Sequence, residues 1–179
     1  MKFLAFSGSL RKASLNTAVV RTAQRLCPPG TALEVYDRLG LLPYFNQDVE
    51  SVQPPAEVLD FRARLAAADA VLISSPEYAH GTSGVLKNAL EWVVGGGELV
   101  DKPTAVVTAS PSMTGGDRAQ AWVKETLEVM GARVLPESLP IALATVKIRD
   151  GQVTDESTLG DLREVIEALA RAVKEQQQA

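Results

Sequence analysis

Apolar residues along the chain alternate between two periods. Lys2 to Ser7 is a short, almost continuous apolar run that stops at Gly8, the pattern of a strand buried on both faces. Leu15, Val19, Ala23 and Leu26 recur at helical spacing and predict a helix over Asn16 to Leu26. A second strand centres on Leu33 and Val35, and Val58, Leu59, Arg62 and Leu65 share one face of a helix over Pro55 to Ala68. Asp69 to Ser74 is another continuous apolar strand, and Val85, Leu86, Ala89, Leu90 and Val93 form the stripe of a helix over Ser83 to Val94. Thr104 to Ser110 reads as the fourth strand, Asp117 to Met130 as a helix that stops before Gly131. A fifth strand begins at Arg133 to Leu135 and continues near Pro140 to Leu143. Leu159, Leu162, Ile166, Leu169 and Val173 mark a final amphipathic helix, and the tail at 176–179 is expected to fray.

Strand and helix alternating in this way predict an α/β chain, a parallel sheet covered by helices on both faces. Five strands suit a flavodoxin-like three-layer sandwich with strand order 2-1-3-4-5, formed by one domain over 1–179. In such sheets ligands bind beyond the carboxyl ends of the strands, where the order reverses. The loops after the first and third strands flank that point, and they are the two loops richest in chemistry.

Composition narrows the choice of partners. The net charge is -4 and the basic residues are scattered, so a nucleic-acid partner, which selects clustered Lys and Arg, is not expected. No run approaches the ~20 apolar residues that cross a bilayer, and Met1 to Phe6 is too short for a signal-peptide core. A cytoplasmic protein without a membrane partner is expected. The single cysteine, Cys27, has no internal partner and is read as inert.

The first rich loop is Gly8-Ser9-Leu10-Arg11-Lys12-Ala13-Ser14-Leu15-Asn16. It joins a buried strand to a helix start, where amides without helical partners and the positive end of the helix dipole favour an anion. Ser9, Ser14 and Asn16 add neutral donors and Arg11 adds charge, with Leu15 inside the same cradle. No second glycine completes a dinucleotide fingerprint, and no lysine-hydroxyl pair completes a P-loop. One phosphate, as a flavin mononucleotide carries, fits better than a dinucleotide or ATP. The second loop is Ser75-Pro76-Glu77-Tyr78-Ala79-His80-Gly81-Thr82-Ser83-Gly84. Its amides and the face of Tyr78 suit the edge and plane of an aromatic ring system. His80, the only histidine, is a candidate to touch flavin or nicotinamide. The hydrolase elbow G-x-S-x-G is absent, and no His or Cys cluster offers a metal site.

Three stretches carry a resemblance: G-S-L-R-K-x-S-x-N at 8–16, L-P-Y-F-N-Q-D at 42–48, and S-P-E-Y at 75–78 followed by G-V-L-K-N-A-L-E-W at 84–92. They resemble the NADPH-dependent FMN reductases, a family that includes quinone, chromate and azo-dye reductases. The resemblance runs from the first strand to about Met130. It implies a flavodoxin-like fold, bound FMN, NADPH (or NADH) as co-substrate, a small-molecule electron acceptor, and a homodimer or homotetramer. It implies that Ser9, Arg11, Ser14 and Asn16 hold the FMN phosphate and that Pro76, Glu77 and Tyr78 line the ring. Ser110 and Gly115-Gly116-Asp117-Arg118 would close the third side. Many members carry Asn after the tyrosine, where this chain has Ala79-His80. The helix ending at Trp92 would lie at a subunit interface, and Pro43, Tyr44 and Phe45 would either cover a neighbouring subunit's flavin or pack on their own core.

The expected chemistry is ping-pong: hydride from the nicotinamide to FMN, then two electrons to the acceptor, with no side-chain nucleophile. A flavodoxin-like one-electron carrier is the alternative. A receiver-type signalling domain of the same topology would need acidic residues after the first strand, where Ser7 and Gly8 stand.

Overall fold

The structure is a computed structural model describing residues 1–178; Ala179, the end of the expected frayed tail, lies outside the described residues. Strand β1 (Lys2–Ser7) leads into α1 (Leu15–Leu26), β2 (Ala32–Tyr36), a single 3-10 turn at Leu39–Leu41, the short α2 (Gln47–Val52) and α3 (Ala56–Ala67). Then come β3 (Ala70–Ser75), α4 (Gly84–Val94), β4 (Pro103–Ala109) and α5 (Asp117–Val129). The chain finishes with β5 (Arg133–Val134), β6 (Leu139–Ile141), α6 (Ala144–Lys147), the hairpin β7 (Ile148–Arg149) and β8 (Gln152–Val153), and α7 (Glu156–Gln178).

The main sheet runs β2-β1-β3-β4-β5, all parallel, with β6 also paired to β4. This is the expected flavodoxin-like order. Side chains alternate across a strand, and here both faces are apolar. Phe3, Ala5, Leu72 and Val107 meet α1 and α7 on one face through Val19, Ala23, Leu162, Ile166 and Leu169. Leu4, Phe6, Ile73 and Val106 meet α3, α4 and α5 on the other through Phe61, Leu65, Leu90, Trp92 and Leu127. The central strands read as unbroken apolar runs because neither face sees water.

The outer strand departs from the continuous element that the sequence pattern predicts. Pro103 pairs with Arg133 and Val107 with Leu139, so the outer strand carries two more residues than β4 between these pairs. Pro136, which has no amide hydrogen to give, falls in the interruption. Three further elements are not visible in the apolar pattern: α2, α6 and the β7–β8 hairpin. The hairpin turns on Asp150 and Gly151, both at positive φ, as a two-residue turn between right-twisted strands requires. Helix α7 starts earlier than its apolar stripe and continues through Gln178.

Side chains placed one residue before the helix fix where α1, α2, α4 and α7 begin. Ser14 accepts from the Thr17 amide (3.1 Å), Ser83 from Leu86 (3.2 Å) and Asn46 from Asp48 (2.9 Å). At α7, Asp155 Oδ1 accepts from the Thr158 hydroxyl (2.6 Å) and amide (2.9 Å). Those bonds, the hydroxyl's first, hold the Asp155 carboxyl below the usual carboxylate range. Its folded pKa lies below its unfolded one, so the cap contributes in full above about pH 4 and is lost as pH falls through the folded value. Asp155→Ala is expected to lower the melting temperature near pH 7 and to leave it close to wild type near pH 2. Thermal unfolding followed by circular dichroism at both pH values checks this; an equal loss at both would show that the carboxylate is not the source.

Candidate functional site

Strand β1 delivers the first loop to a tightly packed point. The Gly8 amide donates to Ser74 O (2.8 Å), and the Ser83 hydroxyl donates to Gly8 O (2.6 Å). A Cβ on Gly8 would come within 2.8 Å of Ser83 Oγ and 3.0 Å of Leu86 Cβ, so the backbone of β1 reaches α4 only because residue 8 has no side chain. From there the chain crosses to α1. Ser9 is buried and Arg11 and Lys12 are exposed. Ser14 begins the helix by accepting from Thr17, which leaves its own hydroxyl hydrogen free to donate outward. The amides of Leu15 and Asn16 lie in the first turn, with no carbonyl behind them in the helix. The Leu15 side chain packs against the core, so its contribution to the cradle is its backbone.

The donor set fits a phosphate dianion. Residues 8–17 include no acid. Among the described residues neither Arg11 nor Lys12 enters an ion pair. Arg11, the Ser9 and Ser14 hydroxyls and two helix-start amides thus lie within one short acid-free stretch; the nearest carboxylates come from other segments, Asp37 beside Ser9 and Arg11 and Asp150 beside Ser14.

Asn16 serves this region from below. Its side chain is 3% exposed, and its carboxamide bonds in three directions. Nδ2 donates to Ala109 O (3.0 Å), while Oδ1 accepts from the Ala109 amide (3.1 Å) and the Ser74 hydroxyl (2.9 Å). The side chain expected to donate to the phosphate thus pairs with the end of β4 much as another strand would, and its backbone amide is what remains toward the cradle.

The second loop leaves β3 through Ser75, whose hydroxyl is bonded to Pro76 O (2.9 Å) and lies 2.8 Å from Thr82 Oγ1. Pro76 is buried beside Gly8. Tyr78 and Gly81 exchange two backbone hydrogen bonds of 2.9 Å around Ala79 and His80, which stand at φ 50° and 63°. Neither residue is a glycine, so this turn carries strain that an Asn-Gly pair would not. Tyr78 is half exposed. Glu77 turns inward: Oε2 accepts from the Ala119 amide of α5 (3.1 Å), and Oε1 lies 3.5 Å from His80 Nδ1.

The third wall follows β4. The Ser110 hydroxyl accepts from the Ser112 amide (3.2 Å) and hydroxyl (3.0 Å), and its backbone is bonded to Ile141 O and the Ala144 amide. Gly115 stands at φ 69°, and a Cβ there would fall 2.8–2.9 Å from the backbone of 140–142. Gly116, at φ 87°, packs over Thr108.

Between the first and second loops lies a cavity of about 730 Å³ lined by Leu10, Arg11, Leu42, Tyr44, Tyr78 and Val85, among others. Of the residues assigned to the cofactor from sequence it brings together Arg11 and Tyr78; Ser9, Ser14, Leu15 and Asn16 of the first loop, Pro76, Glu77 and His80 of the second, and Ser110, Gly115 and Gly116 of the third do not line it. Tyr44, from the apolar run at 43–45, lines it too, and Asn88 is the addition. Asn88 Nδ2 and Trp92 Nε1 both donate to Pro43 O (2.9 and 2.7 Å), Asn88 Oδ1 accepts from the Phe45 amide (2.8 Å), and the Phe45 ring meets Trp92 edge-on. Trp92 is fully buried, and the exposed apolar residue at this helix end is Val94, 63% exposed. Phe45 packs on its own core, while Pro43, held by its carbonyl, is exposed and Tyr44 is 92% exposed. The apolar L-P-Y-F run was the signal for this clamp.

Known proteins point the same way. The model of a family described as NADPH-dependent FMN reductase matches residues 1–145. An NAD(P)H-dependent FMN reductase of Pseudomonas aeruginosa is 35% identical over 173 residues, covering 94% of this chain and 93% of that one. A quinone reductase of Pseudomonas putida is 36% identical over 155 residues, covering 84% of this chain and 83% of the other. Among solved structures, the flavoenzyme NAD(P)H:(acceptor) oxidoreductase FerB from Paracoccus denitrificans superposes with a TM-score of 0.83 at 32% identity, over 97% of each chain.

Asn16→Ala would strand the amide and carbonyl of Ala109 and the Ser74 hydroxyl inside the core. Unsatisfied buried groups cost ~1–3 kcal/mol each, so a loss of about 3 kcal/mol or more is expected in chemical denaturation. A loss below about 1 kcal/mol would mean that water replaces the carboxamide.

Proposed function

The chain belongs to the NADPH-dependent FMN reductase family, and on that premise we propose a ping-pong cycle in which hydride enters from NAD(P)H and two electrons leave to a small acceptor: a quinone, free flavin, azo compound or metal oxyanion. Two-electron chemistry is what FMN supplies when bound. The chain's own residues bind, orient and shield. Ser9, Arg11, Ser14 and the amides of Leu15 and Asn16 would hold the phosphate. Pro76, Glu77, Tyr78 and His80 on one side, and Ser110, Gly115 and Gly116 on the other, would flank the ring. Backbone N–H groups of these loops would meet the negative charge that reduction develops, each preorganised donor contributing ~3 kcal/mol in an oxyanion-hole-like setting.

The observation that carries the reading is a strand-to-helix loop, residues 8–17, with no acid of its own, leading into a cavity whose lining holds one cation, Arg11, and no carboxylate. No carboxylate in that lining opposes an anionic nucleotide. One cavity of about 730 Å³ supports ping-pong use, the nucleotide and the acceptor occupying it in turn. Its walls, Leu10, Leu42, Tyr44 and Val85, favour a neutral aromatic acceptor over an oxyanion among the four classes.

The same reading includes a homodimer or larger, in the cytoplasm where the nucleotide is supplied. Among the described residues no helix is long and apolar enough to cross a membrane. Trp122 (56% exposed), Val129 and Val94 border a cavity of about 520 Å³ between the end of α4 and α5. This apolar face replaces Trp92 as the support for self-association. Trp122→Lys is expected to convert the oligomer to a folded monomer in light scattering; a wild type that is monomeric at micromolar concentration would remove the oligomer.

Arg11→Ala tests the cradle. A charged hydrogen bond to phosphate contributes roughly 1.5–3 kcal/mol, so FMN affinity should fall about ten- to a few hundred-fold. Riboflavin, which lacks the phosphate, should bind both proteins almost equally. Quenching of flavin fluorescence with both flavins and both proteins decides it: an equal loss for riboflavin means that Arg11 does not hold the phosphate.

A further inference from the structure

Helix α5 begins without a cap of its own. Its N-cap position is Gly116 at φ 87°, with no side chain to turn back on the first turn. Glycine is forced there, because a Cβ would fall 3.3 Å from Thr108 Cβ and 3.5 Å from Glu77 Cβ on a backbone that L residues rarely adopt. The fold therefore denies α5 the Ser, Thr, Asp or Asn that satisfies an early amide in most helices. The amide that such a residue would take, Ala119, donates instead to Glu77 Oε2, 42 residues back along the chain. A carboxylate suits that position, since it lies at the positive end of the helix dipole. The Glu77 side chain is only 12% exposed, and its other oxygen faces His80 at the tip of the strained turn.

Strands β3 and β4 hold the feet of the loops together up to the pair Ser75 and Thr108. Beyond that pair, among the described residues, the bond from Ala119 to Glu77 is the one hydrogen bond between residues 76–83 and 110–119. We infer that Glu77 is a positioning residue. It caps α5 from a distance and clasps the 75–81 turn to the 110–117 loop, fixing the spacing of the two walls. That these walls flank a flavin ring rests on the proposed function; the clasp itself does not.

Reach and charge can be separated. Glu77→Gln keeps the reach and an accepting oxygen but removes the charge. Glu77→Asp keeps the charge but withdraws it by one methylene. Glu77→Ala removes both. In the protein without flavin, hydrogen exchange of the Ala119 amide is expected to speed up about tenfold or more in the Ala and Asp variants and to stay within about threefold of wild type in the Gln variant. Exchange at Leu162 in α7 should be unchanged in all three, which separates a loosened clasp from a weakened fold. With flavin, the Ala and Asp variants should weaken FMN and riboflavin alike by about tenfold, and the Gln variant should bind both nearly as wild type does. The clasp is overturned if Ala119 exchange ignores Glu77→Ala, or if Glu77→Gln loses flavin as heavily as Glu77→Ala, which would make the charge itself a ligand. A wild type that binds no FMN would sink the proposed function and leave the exchange result to judge the clasp alone.

Discussion

The Asn16 carboxamide lies in the core beneath the site and ties three chain segments to one point. It sits on the first turn of α1, accepts from Ser74 near the end of β3, and pairs with both backbone groups of Ala109 at the end of β4. Parallel strands end where their loops depart, and the last backbone groups of a strand have no partner unless a neighbour supplies one. Here a side chain supplies it. The start of α1, the exit of β3 and the exit of β4 are thereby held at one height, and three of the site's walls, at 8–16, 75–84 and 110–117, adjoin those ends, while the 42–45 segment comes in from β2. Above that point the geometry depends on glycines where backbones approach too closely for a Cβ, at Gly8, Gly115 and Gly116. Glu77 then joins the upper parts of two loops that the sheet no longer holds.

Much of the fold can be read from the sequence because the central strands are buried on both faces and the long helices on one. Burial of that kind writes itself into apolar periodicity, as in Phe3-Leu4-Ala5-Phe6 and in the stripe from Leu159 to Val173. Elements that bury little leave no such trace. Helix α2 buries none of its residues and is announced only by Asn46 and the acids of its first turn. The β7–β8 hairpin is two residues wide on each side, and Asp150-Gly151 is its whole signal.

The site was legible in its parts list and less so in the direction each part faces. Residue types in a loop say what chemistry is present, but not whether a polar side chain turns to a ligand or back into the protein. Asn16 and Glu77 both turn back, to Ala109 and Ala119. Each answers an unpaired backbone group 93 or 42 residues distant in sequence, which no local pattern could reveal. The two tryptophans make the same point in apolar terms. Trp92 follows an apolar stripe and is wholly buried; Trp122 lies on the outward side of an amphipathic helix and is half exposed.

The two faces of the sheet are completed at different times. The side covered by α3, α4 and α5 has all its helices once Val129 has been made. The opposite side waits for α7, which brings Leu162, Val165, Ile166, Leu169 and Val173 against α1 and the central strands. A chain emerging from the ribosome therefore carries a half-covered sheet, with Phe3, Val19 and Leu72 open along one side, until translation reaches the final helix. During that interval the nascent protein presents the kind of apolar surface that chaperones hold and that aggregation exploits, so the rate at which the last helix is synthesised and docked bears directly on how much of the protein reaches its native state.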